Sequence, residues 1–104
     1  MKKTIEDLQS EIISAICHPN KIRILKALRK QSLCNCELMP LLGLEQSNLS
    51  RHLKSMEKSG ILISWKEGLR VNYRIADERI FDLLDIAEKI SLKKVEENKK
   101  VVAA

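Results

Sequence analysis

Apolar residues recur along this chain with two different periods, and the change between them divides it into elements. Ile5, Leu8, Ile12 and Ile16 repeat at helical spacing, with Ile13 widening the stripe. Thr4, with Asp7 three positions on, starts that helix as a capping box. His18-Pro19 ends it, and Pro19 fits the first position of a second helix with His18 or Asn20 at its cap. Ile22, Ile24, Leu25 and Leu28 make the second helix largely buried, leaving Lys21, Arg23, Lys26, Arg29 and Lys30 to water. After a loop at Gln31-Ser32, Asn35 is the expected N-cap of a short helix through Leu42, with Pro40 early in it and Gly43 at its end. Leu49, Leu53 and Met56 then form one narrow apolar stripe, while Ser47, Ser50, Arg51, Lys54 and Lys58 lie on the opposite side. Gly60 supplies a left-handed stop just past the last turn. Two helices joined by a short turn containing glycine read as a helix-turn-helix.

The period then drops to two. Ile61, Ile63 and Trp65 alternate with Leu62, Ser64 and Lys66; Glu67-Gly68-Leu69 turns the chain; Val71, Tyr73 and Ile75 alternate with Asn72 and Arg74. This predicts a two-stranded hairpin, apolar face inward, with Lys66 and Arg70 flanking its tip as a cationic wing. Asp77 caps a last helix in which Ile80, Leu83, Leu84, Ala87 and Ile90 form one stripe and Phe81 and Ile86 a second side. The first and last helices both carry more apolar surface than one neighbour covers, which predicts a two-fold dimer built from them. The fold expected is mainly α with a two-stranded β-hairpin: a winged helix-turn-helix, homodimeric through its first and last helices. One domain fills residues 1–104, with dimerisation helices at 1–17 and 78–95, the helix-turn-helix at 36–59, the wing at 61–75 and a frayed tail at 96–104.

Composition narrows the function. A chain of 104 residues that is 44% hydrophobic and 32% charged is globular rather than disordered, and at 3% aromatic its core must be aliphatic. Lys and Arg number 19 against 14 acids, a net charge of +5. From Arg51 to Arg74 six cations face two acids, so most of the excess falls on the helix-turn-helix and wing, as nucleic-acid binding requires. No apolar run approaches the roughly 20 residues of a membrane span. The N-terminus runs straight into an amphipathic pattern, with no signal segment, and the three cysteines are an odd count. A cytoplasmic protein with free thiols and no membrane association is therefore expected. No nucleophile–base set, phosphate loop or paired carboxylates points to an enzyme. Two other classes stand beside DNA binding. One is a protein-interaction module, whose affinity would not depend on salt; the other is a small thiol oxidoreductase, which would turn over disulfides.

The chain resembles the ArsR/SmtB family of small winged-helix repressors. The resemblance is carried by His18-Pro19-Asn20-Lys21-Ile22-Arg23-Ile24-Leu25; by Leu33-Cys34-Asn35-Cys36-Glu37-Leu38; by Gln46-Ser47-Asn48-Leu49-Ser50-Arg51-His52-Leu53; by Ser59-Gly60-Ile61-Leu62; and by Lys66-Glu67-Gly68 with Tyr73-Arg74-Ile75. It implies a dimeric repressor that leaves double-stranded operator DNA when a metal, a metalloid or an oxidant changes its sensing site. It also implies that Gln46, Ser47, Ser50, Arg51 and His52 lie at or beside the DNA. Residue chemistry agrees for most of these. Arg51 can donate two hydrogen bonds to a guanine edge and Gln46 can pair with adenine, while Ser47 and Ser50 suit bases or phosphates. Lys54, Lys58, Lys66 and Arg70 read as phosphate contacts. His52, three residues after Leu49, sits at the border of the buried stripe, as a packed histidine or a DNA contact. Glu45 departs from the family, which usually places a serine or similar cap there.

Cys34-Asn35-Cys36 is the one constellation with chemistry of its own. Two thiols one residue apart at a helix start converge on one soft ion, and the positive helix end favours thiolates. The spacing resembles the thiolate site of family members that respond to As(III), Sb(III), Cd(II) or Pb(II). A trigonal arsenite site wants three sulfurs and a tetrahedral zinc site four ligands. One turn later stands Met39, so the further ligand falls to Cys17, from the same or the other subunit, against the plainer reading of Cys17 as a small buried apolar residue. The alternative is a redox switch joining Cys17 to one of the pair, or linking subunits; a bridge within the pair itself is expected to be strained. The last helix has acids but no histidine, which argues against the family's zinc site there.

Overall fold

The computed structural model describes residues 2–98. Its elements run α1 (Ile5–Ala15), α2 (Pro19–Ala27), β1 (Leu33–Cys34), α3 (Asn35–Leu42), α4 (Gln46–Lys58), β2 (Leu62–Glu67), β3 (Arg70–Ile75) and α5 (Ile80–Asn98). Local chemistry sets most of these boundaries. The Thr4 hydroxyl accepts the Asp7 amide while the Asp7 carboxylate accepts the Thr4 amide, a complete capping box. His18 caps α2, its Nδ1 accepting the Asn20 amide, and Pro19 fills the first helical position. Asp77 accepts the Arg79 amide in the turn that leads into α5.

The end of α4 is built by Gly60. Its φ of +80° lets the Gly60 amide reach the Glu57 carbonyl and the Ile61 amide reach Met56. This closes the helix in a Schellman turn that only a residue at ease with positive φ makes without strain.

Three features differ from expectation. First, the cap of α3 is Cys34 rather than Asn35. Cys34 is extended, its sulfur accepts the Glu37 amide, and its own amide donates to the Glu37 carboxylate. Pairing with β3 holds Cys34 in that extended shape, which displaces the cap by one residue. Pro40 is consequently well inside α3, and the helix forgoes the bond its nitrogen would have made.

Second, the sheet has three strands in the order β1-β3-β2. Leu33 lies opposite Tyr73 and Cys34 opposite Asn72. A strand of two residues has no period to read, and only the partner strand defines it.

Third, β2 presents the opposite face from the one its alternation indicated, whereas β3 buries Tyr73 and Ile75 as expected. Ile61 is buried, but it belongs to the turn leaving α4, so the strand's alternation begins at Leu62. Leu62 pairs with Ile75 and Ser64 with Tyr73 across β2 and β3, and this is the inward face. Ile63 and Trp65 share the outer face with Arg74 and Asn72. There Glu67 accepts from the Trp65 indole at 2.9 Å and from the Asn72 amide at 3.0 Å.

Ile24 and Leu25 of α2, Leu38 of α3, Leu49, Leu53 and Met56 of α4, and Leu62 of β2 are fully enclosed. Truncating one of them, Leu53→Ala for example, costs about 2–5 kcal/mol. The core is thus centred under α4, the helix whose other side must stay exact. A two-pronged ion pair from Arg29, just beyond α2, to Asp85 ties α5 to this core, with the Arg29 guanidinium 4.8 Å from the centre of the Phe81 ring.

Apart from that anchorage the terminal helices are open. Ala15 and Ile16 are buried at the end of α1, but Ile5, Leu8, Ile12 and Ile13 are exposed. On α5 the inward residues are Ile80, Phe81 and Leu84, whereas Leu83, Ile86, Ala87 and Ile90 face outward. The stripe of Ile80, Leu83, Leu84, Ala87 and Ile90 is therefore split between two sides of the helix. Residues 96–98 continue α5 rather than fray, and 99–104 of the expected tail lie outside the described residues.

Candidate nucleic-acid interface and its thiol pair

Because Leu49, Leu53 and Met56 anchor one side of α4, its other side is delivered to solvent as a unit. Gln46, Ser47, Arg51, Lys54 and Lys58 are exposed and Ser50 is half-buried. Glu45 provides the N-cap backbone without a side-chain cap bond, so the amides of the first turn stay available to an incoming acceptor. Arg51 is already positioned: its Nη2 donates to Asn48 Oδ1 at 2.8 Å, which steers the guanidinium along the helix surface. Asn48 is a residue that sequence reasoning passed over, although its place one turn before Arg51 was the available signal.

His52 is not on this face. It is 7% exposed and its ring lies against that of His18. Burial, then the nearby His18, Lys21 and Arg51, push its pKa below the usual histidine value. It therefore braces α4 from behind, as the packed histidine that its border position allowed. Lys21 of α2 also approaches from that side, its ammonium donating to Ser55 at 3.3 Å.

The wing is fixed to α4 by a hydrogen bond from the Ser64 hydroxyl to the Glu57 carboxylate. Lys66 is exposed near the tip, and Leu69 at the tip is fully exposed. Arg70, read from the sequence as a phosphate contact, is also engaged within the chain. Its Nη2 donates to Glu37 Oε1 at 3.0 Å and to Cys34 Sγ at 3.2 Å, so the guanidinium bridges the wing to the start of α3. Glu37 was another residue without a part in the sequence reading, and no spacing rule relates it to a cation 33 positions away.

Cys34 and Cys36 are brought together as a disulfide, with Cα atoms 5.2 Å apart. The capping geometry turns both sulfurs to one side of the first turn of α3. Cys34 is completely buried and Cys36 is exposed. Cys17 is a free, exposed thiol just past α1, so it is not the small buried residue of the plainer reading. Among the described residues no group of three His, Cys, Asp or Glu side chains is placed to hold a metal ion. Among the described residues the donor set does not fit an arsenite, antimonite, cadmium or lead site: both paired sulfurs are committed to each other, and no group of three ligands forms around them. No helix among the described residues is long and apolar enough to cross a membrane.

Residues 18–64 match the family described as bacterial regulatory protein, arsR family. An uncharacterized HTH-type transcriptional regulator of Mycobacterium tuberculosis, Rv0081, is 34% identical over 84 residues, covering 80% of this chain and 74% of the relative. Its crystal structure superimposes with a TM-score of 0.79 at 30% identity, over 93% of this chain and 98% of that one. A homodimeric winged helix-turn-helix DNA-binding domain from Mycobacterium bovis, solved by NMR, shares the fold with a TM-score of 0.76 at 20% identity, over 89% of this chain and 86% of that one. The cadmium resistance transcriptional regulatory protein CadC of Lactococcus lactis is 31% identical over 68 residues; these make up 64% of this chain and 57% of CadC.

Proposed function

The chain belongs to the ArsR family of bacterial regulatory proteins, and from that premise we propose that it is a dimeric transcriptional repressor that binds operator DNA through α4 and the wing. The observation that carries this reading is the sidedness of α4. Its apolar stripe is sunk in the core, while Gln46, Ser47, Arg51, Lys54 and Lys58 stand together on the open face. A helix of that polarity fits a major groove, with Arg51 and Gln46 able to read base edges and the lysines able to meet phosphates. The open apolar surfaces of α1 and α5 supply the self-complementary face of a two-fold dimer, which sets two copies of α4 on successive turns of the duplex. The structural neighbour from Mycobacterium bovis is homodimeric, which supports a dimer.

Control of operator affinity is assigned to Cys34 and Cys36. Cys34 caps α3, the helix that supports α4, and is joined to the wing through Arg70, while Cys36 stands in the first turn of the same helix. Its redox state is the favoured signal, because the two sulfurs are found bonded to one another while Cys17 is left free. The reading in which the reduced pair takes a soft ion of the As(III), Sb(III), Cd(II) or Pb(II) kind draws support from the likeness to CadC, but needs a further ligand that the described residues of one chain do not group with the pair.

The test is operator binding on a duplex selected from a randomised pool, measured for reduced protein, for oxidised protein, and for reduced protein with each ion. A change of about 5- to 150-fold with oxidation alone is the expected result. Equal affinity in both redox states, with a response to one of the ions, transfers control to metal binding. No selected duplex at all removes the repressor reading.

A further inference from the structure

The two sulfurs of the bridge differ in everything that governs thiol–disulfide exchange. Cys36 is exposed, whereas Cys34 has no exposed surface. The Cys34 sulfur accepts the Glu37 amide at 3.2 Å, from the first turn of α3, and the Arg70 guanidinium at 3.2 Å. Cys36 has no comparable donor in the described structure.

We propose that the bridge is opened by a low-molecular-weight thiol attacking Cys36, with Cys34 as the leaving sulfur and Arg70 as the residue that receives its charge. The proposal deepens the redox reading above and rests on it for its biological meaning. The attacking thiolate lends its electron pair to a new bond with Cys36 Sγ. The Cys34–Cys36 bond breaks, and its pair departs on Cys34 Sγ as a thiolate. The product carries a mixed disulfide on Cys36 and a free sulfur on Cys34. A second equivalent of the same thiol attacks the mixed disulfide, releases the small-molecule disulfide and leaves Cys36 reduced. Two electrons have then passed from two thiols to the protein.

The direction of attack follows from approach. An incoming thiolate must come in line with the S–S bond from the side of the sulfur it attacks, and only Cys36 presents a side to solvent. The choice of leaving sulfur follows from charge, since a leaving thiolate departs faster when donors and a cation already surround it. Glu37 works against this, because its carboxylate shares Arg70 at 3.0 Å, so Arg70 is the residue that decides the balance. When Cys34 leaves as an anion, Arg70 gains a charged partner in place of a neutral sulfur. The tip of the wing is then held more firmly to α3, which gives the sulfur chemistry a route to the DNA-binding surface.

Peptide mass mapping tests this directly. The oxidised full-length protein is exposed to limiting glutathione, quenched by alkylation, and fragmented between positions 34 and 36. The expected product carries glutathione on Cys36 and the alkyl group on Cys34. Glutathione on Cys34, or an even division between the two, overturns the proposal. Arg70→Gln should slow opening by a factor of about three to ten, and Arg70→Lys should retain most of the wild-type rate. Opening at an unchanged rate in a folded Arg70→Gln protein removes Arg70 from the chemistry. If the Cys36 adduct forms as described but operator affinity does not change, the exchange chemistry stands and redox control of DNA binding falls.

Discussion

The imidazole of His52, on the buried side of α4, lies 4.7 Å from the imidazole of His18, the residue that caps α2, with the rings tilted by 40°. The contact joins the start of one core helix to the middle of the helix that meets DNA. It makes the seating of α4 sensitive to charge on the His52 ring.

The pH dependence has a definite sign. His52 titrates below its ordinary value of 6.5 in the folded chain, through burial first and then through His18, Lys21 and Arg51. The folded state therefore binds the proton less readily than the unfolded chain does. Folding carries no penalty from this residue above pH 6.5, and stability is lost as pH falls below it towards the folded value. Urea midpoints between pH 8 and pH 5 should drop on the acid side for wild type, and the drop should shrink in His52→Gln. An identical pH profile in the variant would remove His52 as the cause.

Arg51 is held by Asn48 yet open to solvent, which is the state of a side chain preorganised for a partner. Arg51→Ala should cost about 1–3 kcal/mol of operator affinity and relax preference at one base-pair position in each half-site. Asn48→Ala should produce a smaller loss at that same position. Competition binding against single-base operator variants checks both, and a loss spread evenly over all positions would make Arg51 a phosphate contact.

Ile86 on α5 and Ile13 on α1 are both more than half exposed in the single chain. Ile86→Glu should therefore leave the fold of one subunit nearly unchanged, because surface substitutions of this kind usually fall within about 0.5 kcal/mol. In the proposed dimer the same change buries a charge without a partner. Sedimentation should then show a monomer with native circular dichroism and weak operator binding. A stable dimer in this variant would place the interface elsewhere.

How much of this was legible in the sequence depended on how local each cause was. Capping at Thr4 and His18, the stop at Gly60 and the stripe of Leu49, Leu53 and Met56 depend on neighbours within one or two turns, and they read directly. The face of β2 did not, because Ile61 completes the turn from α4 before the strand starts, so counting from it inverts every later residue. β1 was invisible, since two residues have no pattern and Tyr73 and Asn72 define them from a distance. The same holds at the candidate site. The open face of α4 was recoverable from periodicity, whereas the tie from Arg70 to Glu37 and Cys34 exists only once β3 is laid beside α3. The burial of His52 was half legible, its border position being evident and its partner His18 not.

The central claim is that a cationic surface on two copies of α4 and the wing displaces counterions from duplex DNA, and its most direct measurement is operator affinity as a function of salt. With Lys54, Lys58 and Lys66 each meeting a phosphate in both subunits, log K should fall against log salt with a slope of about −5. Lys54→Ala should make that slope shallower by about two, one for each copy of the residue. A wild-type affinity that stays flat from low to physiological salt would contradict the account.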